Sequence, residues 1–253
     1  MNSFETIIYE KTDGIAKVTL NRPQVLNRYN IKMRDELFEV LSAIQDDPDV
    51  RVVIFKGAGE RAFCVGADLT EFGTAPSPLI ARQVRWERDV WGLLASIKQP
   101  LIAAIHGYAL GSGTEIALFC DMRIASDNAV FGLPEVSLGM IPAAGGSQTL
   151  PRMVGRSRAL QILLCCDRID AQEAMRIGLV NKVVKRTDLL PATYRIADGI
   201  CSCNRVAVRC AKEAVKRGLD LSLDEGLALE RRLAESVRVV NSLVPSLEVK
   251  EFV

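Results

Sequence analysis

Residues 100–125 read PLIAAIHGYALGSGTEIALFCDMRIA. Pro100 opens a continuous apolar run, Leu101 to Ile105, of strand length. A glycine-rich turn follows, Gly107-Tyr108-Ala109-Leu110-Gly111-Ser112-Gly113, then a helix over Thr114 to Cys120 and a second strand over Met122 to Ala125. Strand, turn, helix and strand in this order are the working unit of an α/β fold.

The same alternation extends to both sides. Upstream, 4–9 and 15–20 are short apolar or alternating runs around Lys11-Thr12-Asp13-Gly14, a hairpin signal. Asn30 stands as N-cap to a helix whose apolar face is Met33, Leu37, Val40, Leu41 and Ile44. Val52 to Phe55 is a strand, 62–69 a loop, and 79–97 one long helix with two apolar stripes that calls for cover on two sides. Downstream, Phe131-Gly132-Leu133-Pro134-Glu135 is extended and breaks at the proline. Beyond Pro142 the pattern is mainly helical: 145–154, 156–166, 171–177, a strand at 179–184, then helices over 188–204, 205–217 and 223–240. This organisation predicts an α/β core over 1–187 that carries the site, and a helical C-terminal region over 188–253. Leu227, Leu229, Leu233 and Val237 form a stripe too long for a lone tail, which points to self-association.

Composition narrows the function. The chain has 253 residues, 49% hydrophobic and 25% charged, with 32 Lys plus Arg against 31 Asp plus Glu. The net charge of +1 lacks the basic excess of a nucleic-acid protein. No apolar stretch has the length of a membrane span. The seven cysteines form no C-x-x-C pair and sit in apolar runs, as buried thiols in a reducing compartment do. The N-terminus has no basic and apolar leader pattern, which reads as cytoplasmic or already processed. The single histidine, His106, excludes two-His metal sites and reads as structural. Acid–base work therefore falls mostly on carboxylates, Lys, Tyr or Cys.

The turn at 111–113 is half of a dinucleotide fingerprint, but Ile116 replaces its third glycine, and no phosphate-loop motif is present. A glycine-rich turn at a helix start still presents backbone N–H groups to an anion, or to an oxyanion that develops in a transition state. Glu115 lies in the first helical turn, where a carboxylate can merely complement the dipole. Glu135 follows Pro134 among apolar residues. Two carboxylates so placed are candidates for a general acid and base pair.

These features fall within a longer series. Leu20-Asn21-Arg22-Pro23 with Leu26-Asn27, Phe63-Cys64-Val65-Gly66-Ala67-Asp68-Leu69, the Pro100–Glu115 segment and Cys120-Asp121-Met122-Arg123-Ile124-Ala125 precede Glu135. Leu138-Gly139-Met140-Ile141-Pro142, Gly145-Gly146-Ser147-Gln148, Leu150-Pro151-Arg152, Ile169-Asp170-Ala171 and Gly178-Leu179-Val180 follow it. In order and spacing, over essentially the whole chain, the sequence resembles the crotonase, or enoyl-CoA hydratase/isomerase, superfamily.

The resemblance implies a crotonase-like spiral of ββα units with a helical C-terminal trimerisation region, assembled as a homotrimer or homohexamer. It implies an acyl-CoA thioester substrate, in fatty-acid β-oxidation or related acyl-CoA degradation, with no cofactor beyond the CoA of the substrate and no metal. By motif position, the backbone N–H groups of Ala67 and Ser112 would hold the thioester oxygen. Glu115 would activate water and Glu135 would protonate C2. Asn27, Arg28, Val65, Ala67, Asp68, Leu69, Gly111, Pro134 and Gly145 would contact CoA or the acyl group. Both glutamates favour enoyl-CoA hydration. The alternatives are a Δ3,Δ2-enoyl-CoA isomerase using Glu135 alone, a hydratase of branched or cyclic dienoyl-CoA, and an acyl-CoA binding protein without turnover.

The sequence departs from the family pattern at a few positions. Ser112 stands for the usual glycine, and Arg28-Tyr29 for small or aliphatic residues. Thr149 replaces a common Arg and Ala143 a common Gly. Family members usually continue past the segment Leu247-Glu248-Val249-Lys250-Glu251-Phe252 into a basic, aromatic tail that helps cover CoA.

Overall fold

A computed structural model describes residues 4–243; the segment over 247–252 lies outside them. Two compact units divide the chain between Asp198 and Gly199.

The first unit opens with the hairpin of β1 (Ile7–Thr12) and β2 (Ile15–Leu20). Asp13 and Gly14 both take positive φ, 51° and 80°, as a two-residue turn between right-twisted strands requires. That turn pairs Thr12 with Ile15 and so Ile7 with Leu20, which places the first strand three residues later than the expected 4–9. Next comes α1 (Ile31–Asp46), where Asn30 accepts the Met33 N–H as predicted and all five predicted apolar residues are buried.

Three successive units then repeat one plan. Each gives a strand to a larger sheet, a strand to a smaller sheet, and then helix. The first is β3 (Val52–Gly57), β4 (Ala62–Cys64), α2 (Pro78–Glu87) and α3 (Val90–Ser96). The second is β5 (Leu101–Ile105), β6 (Tyr108–Leu110) and α4 (Ser112–Phe119). The third is β7 (Met122–Ser126), β8 (Val130–Gly132), α5 (Gly146–Val154) and α6 (Arg156–Cys165). After them come β9 (Ile169–Asp170), α7 (Ala171–Arg176), β10 (Lys182–Val184) and α8 (Leu189–Ser202).

The larger sheet runs β1-β2-β3-β5-β7-β10, parallel from β2 onward. The smaller runs β4-β6-β8-β9, parallel except at β9. This is the expected spiral of ββα units. β5 is buried along its whole length, as a parallel strand covered on both faces must be.

Two expectations are corrected. The helix over 79–97 is two helices, because Asp89 accepts the Gly92 N–H and caps a new start while Arg88 leaves helical angles. Of its stripes only Val90, Leu94 and Ile97 are buried; Leu79, Ile80 and Trp86 on α2 are exposed. The α/β unit also extends past 187, because α8 buries Leu189, Ala192, Thr193 and Ala197. The second unit is a helical hairpin in which α9 (Arg205–Gly218) packs on α10 (Leu223–Leu243), with Leu227 exposed and Leu233 and Val237 half-buried.

Candidate active site

The site begins at the C-terminal end of β6. Gly111 takes φ +51°, which only glycine adopts freely, and its N–H donates to the Gly132 carbonyl. The chain then enters α4 at Ser112 with ordinary helical angles. A Cβ on Gly113 would lie 2.1 Å from the Cys64 carbonyl oxygen, so glycine there lets α4 start directly against β4. A Cβ on Gly66 would lie 3.5 Å from Ser112 N. The turn after β4 and the start of α4 are therefore in contact.

The segment 22–29 holds that turn in place. Leu26 and Asn27 both take positive φ, and Asn27 is fully buried. Its amide donates to the Ala58 and Ala62 carbonyls, and its oxygen accepts the Arg22 N–H. Tyr29 then pairs with Ala67: the Tyr29 N–H donates to the Gly66 carbonyl and the Asp68 N–H to the Tyr29 carbonyl. In a parallel bridge of this kind the N–H of the central residue faces the other way. Among the described residues neither the Ala67 N–H nor the Ser112 N–H has an acceptor. Unpartnered backbone donors of this kind on touching segments can receive a carbonyl oxygen.

Glu115 sits one helical turn after Ser112 and is 2% exposed. Its Oε1 accepts N–H groups from Ala144 and Gly146, both at 3.0 Å. Burial, opposed by those N–H groups and reinforced by the charge of Glu135, pushes its carboxyl up to about 7. Glu135 opens the short helix after β8, and its Oε1 lies 2.9 Å from where a Gly111 Cβ would be. Its Oε2 is buried without a partner, and burial raises its carboxyl above the usual range. Burial thus raises both carboxyls above the ordinary carboxylate range, and the charge of Glu135 adds to the shift of Glu115.

Both glutamates line a cavity of about 430 Å³. Val65, Ala67, Leu69, Gly111, Ser112 and Pro134 line it too. Other predicted contacts lie elsewhere. Asn27 is spent on backbone carbonyls. Asp68 is buried against Arg22 at 3.0 Å and Thr70 at 2.8 Å. A Cβ on Gly145 would strike the Phe119 ring at 2.6 Å, so Gly145 packs behind the wall and the adjoining N–H groups serve the site. Arg28 is exposed and outside the cavity lining. His106 bonds the Gly59 carbonyl at 2.9 Å, and burial lowers it to about 4, so it is neutral and structural.

Sequence reasoning missed the 144–146 backbone as the holder of Glu115, and it missed Tyr29, Arg34, Arg85 and Arg88 in the cavity wall. Among the described residues no group of three or more His, Cys, Asp or Glu could hold a metal ion, and no helix is long and apolar enough to cross a membrane.

The sequence profile of the enoyl-CoA hydratase/isomerase family matches residues 10–248. A crotonyl-CoA hydratase of Syntrophomonas wolfei is 42% identical over 229 residues, 90% of this chain and 88% of its own. A short-chain-enoyl-CoA hydratase of Clostridium acetobutylicum is 43% identical over 224 residues, 88% and 86% of the two chains. The crystal structure of an enoyl-CoA hydratase from Bacillus anthracis superposes with a TM-score of 0.87 at 40% identity, covering 92% of this chain and 91% of that one.

Proposed function

The chain belongs to the enoyl-CoA hydratase/isomerase family, and from that premise we propose that it adds water across the C2=C3 bond of an enoyl-CoA thioester in acyl-CoA degradation. The observation that carries this reading is the pair of carboxyls, buried Glu115 and half-buried Glu135, lining one cavity beside two unpartnered backbone N–H groups.

The Ala67 and Ser112 N–H groups receive the thioester oxygen and hold the charge it gains as the enolate forms. Glu115, with Oε1 fixed by two N–H groups, leaves Oε2 to take a proton from water. The water oxygen bonds to C3 and the C2=C3 electron pair moves into the enolate. Glu135 gives a proton to C2, and the enolate pair returns to form that bond. The proton taken by Glu115 passes to Glu135, so one water is consumed and the enzyme is restored. The scheme calls on no metal or redox cofactor; CoA arrives with the substrate.

We further propose that Arg28, exposed and without a side-chain partner among the described residues, meets a CoA phosphate. The exposed apolar residues of the second unit, Val215, Leu219 and Leu223 among them, support a homotrimer or a dimer of trimers. The free cysteines support a reducing, cytoplasmic location. Loss of the conjugated enoyl-thioester absorbance of crotonyl-CoA, with a 3-hydroxyacyl product, tests the activity. An unchanged spectrum at high enzyme concentration counts against it.

A further inference from the structure

Resting on the hydratase reading, we propose that the acyl end of the cavity binds a carboxylate, so that the preferred substrates are enoyl-CoA thioesters whose acyl chain carries a second, free carboxyl group.

The first observation is an orphaned hydroxyl. Tyr29 lines the cavity and packs tilted against Trp91, with ring centroids 5.6 Å apart, and Trp91 in turn meets Phe119 at 6.0 Å. In this apolar wall the Tyr29 Oη is buried with no hydrogen-bond partner. A buried hydroxyl without a partner costs the free enzyme stability, and phenylalanine would fill the same space without that cost. Such a group is explained by a ligand that completes it.

The second observation is an unmatched cation. Three arginines line the cavity. Arg34 is held by Asp35 at 2.8 and 2.9 Å, and Arg88 faces Glu39 at 3.7 Å. Arg85 has no ion pair among the described residues; its Nη2 donates to the Ala143 carbonyl at 2.9 Å. Arg85 lines the same cavity as Glu115 and Tyr29, and its positive charge favours the ionised form of both. A guanidinium fork and a phenolic O–H are complementary to the two oxygens of one carboxylate. The positive charge also offsets Glu115 and Glu135, which would otherwise repel an anionic chain.

Two substrate pairs of matched chain length test this: glutaconyl-CoA with pent-2-enoyl-CoA, and hex-2-enedioyl-CoA with hex-2-enoyl-CoA. The carboxylated member of at least one pair should have a kcat/KM at least about tenfold higher, the scale of one charge-assisted hydrogen bond. Arg85→Met and Tyr29→Phe should each reduce that preference about ten- to a hundredfold, and Arg85→Lys should retain part of it. Tyr29→Phe should melt at or above the wild-type temperature, which separates a lost contact from a damaged fold. Preference for the uncharged chains overturns the proposal. So does an equal loss for both members in Arg85→Met, which would assign the guanidinium to CoA. If wild type hydrates no member of either pair, the hydratase reading itself fails and this inference falls with it.

Discussion

Glu115→Gln should make the protein inactive and, above neutral pH, more stable. Glu115 is buried, and its carboxyl is pushed up to about 7 from an ordinary 4.5. The native state therefore keeps its proton up to about 7 while the unfolded chain releases it near 4.5. Where the unfolded state binds fewer protons, stability falls as pH rises, so the cost accrues between those two values. From pH 5 to pH 8 this group should remove roughly 2–3 kcal/mol. Both N–H donors, from Ala144 and Gly146, land on Oε1. An amide with its oxygen in that place keeps both bonds and carries no charge to desolvate. Glu115→Gln should thus melt close to wild type at pH 5 and roughly 5–10 °C above it at pH 8, while kcat falls at least ~10²-fold. Thermal melts at the two pH values, with crotonyl-CoA turnover on the same samples, check both halves. A melting difference that does not change with pH, or wild-type turnover in the variant, would refute the reasoning.

The remaining expectations concern the partners of Glu115. Glu135→Gln should also lower kcat at least ~10²-fold, and the double variant should be little worse than the worse single, because both carboxyls act on one water; additive losses would contradict a shared step. Ser112→Ala should keep most activity, since the backbone N–H is the donor, whereas Ser112→Pro deletes it and should cost on the order of 10²–10³-fold in kcat. A Ser112→Pro protein that assembles, melts normally and turns over at wild-type rate would remove Ser112 from the oxyanion site. Arg28→Ala should raise KM for CoA esters with kcat unchanged, and less so at high salt; a flat KM denies the phosphate contact.

Much of this architecture was legible in the sequence because its signals are local. Asp13-Gly14 named the hairpin turn, and Asn30 with the 33–44 periodicity named the first helix. The apolar run from Leu101 and the glycines at 111 and 113 named the strand, turn and helix that carry Ser112 and Glu115. Glu135 followed from its place beside Pro134. Less legible were features that exist only through tertiary contact. No pattern in the chain indicates that 144–146 folds back to hold Glu115, or that the Asn27 amide stitches two carbonyls across thirty-odd positions instead of meeting a ligand. The helix over 79–97 misled because its apolar periodicity continues across Arg88-Asp89, while the capping strength of Asp89 decides the break. Tyr29 and Arg85 are distant in sequence, and their relation is visible only in the cavity they share.

The central claim is that one water is added across C2=C3, with both of its parts retained in the product. Incubation with crotonyl-CoA in H₂¹⁸O, and separately in D₂O, followed by mass spectrometry of the acyl product, measures this directly. The account predicts a 3-hydroxyacyl thioester with ¹⁸O in its C3 hydroxyl from the first solvent and deuterium at C2 from the second. Deuterium uptake into recovered enoyl-CoA without any ¹⁸O-bearing product would show proton transfer without hydration, and would contradict it.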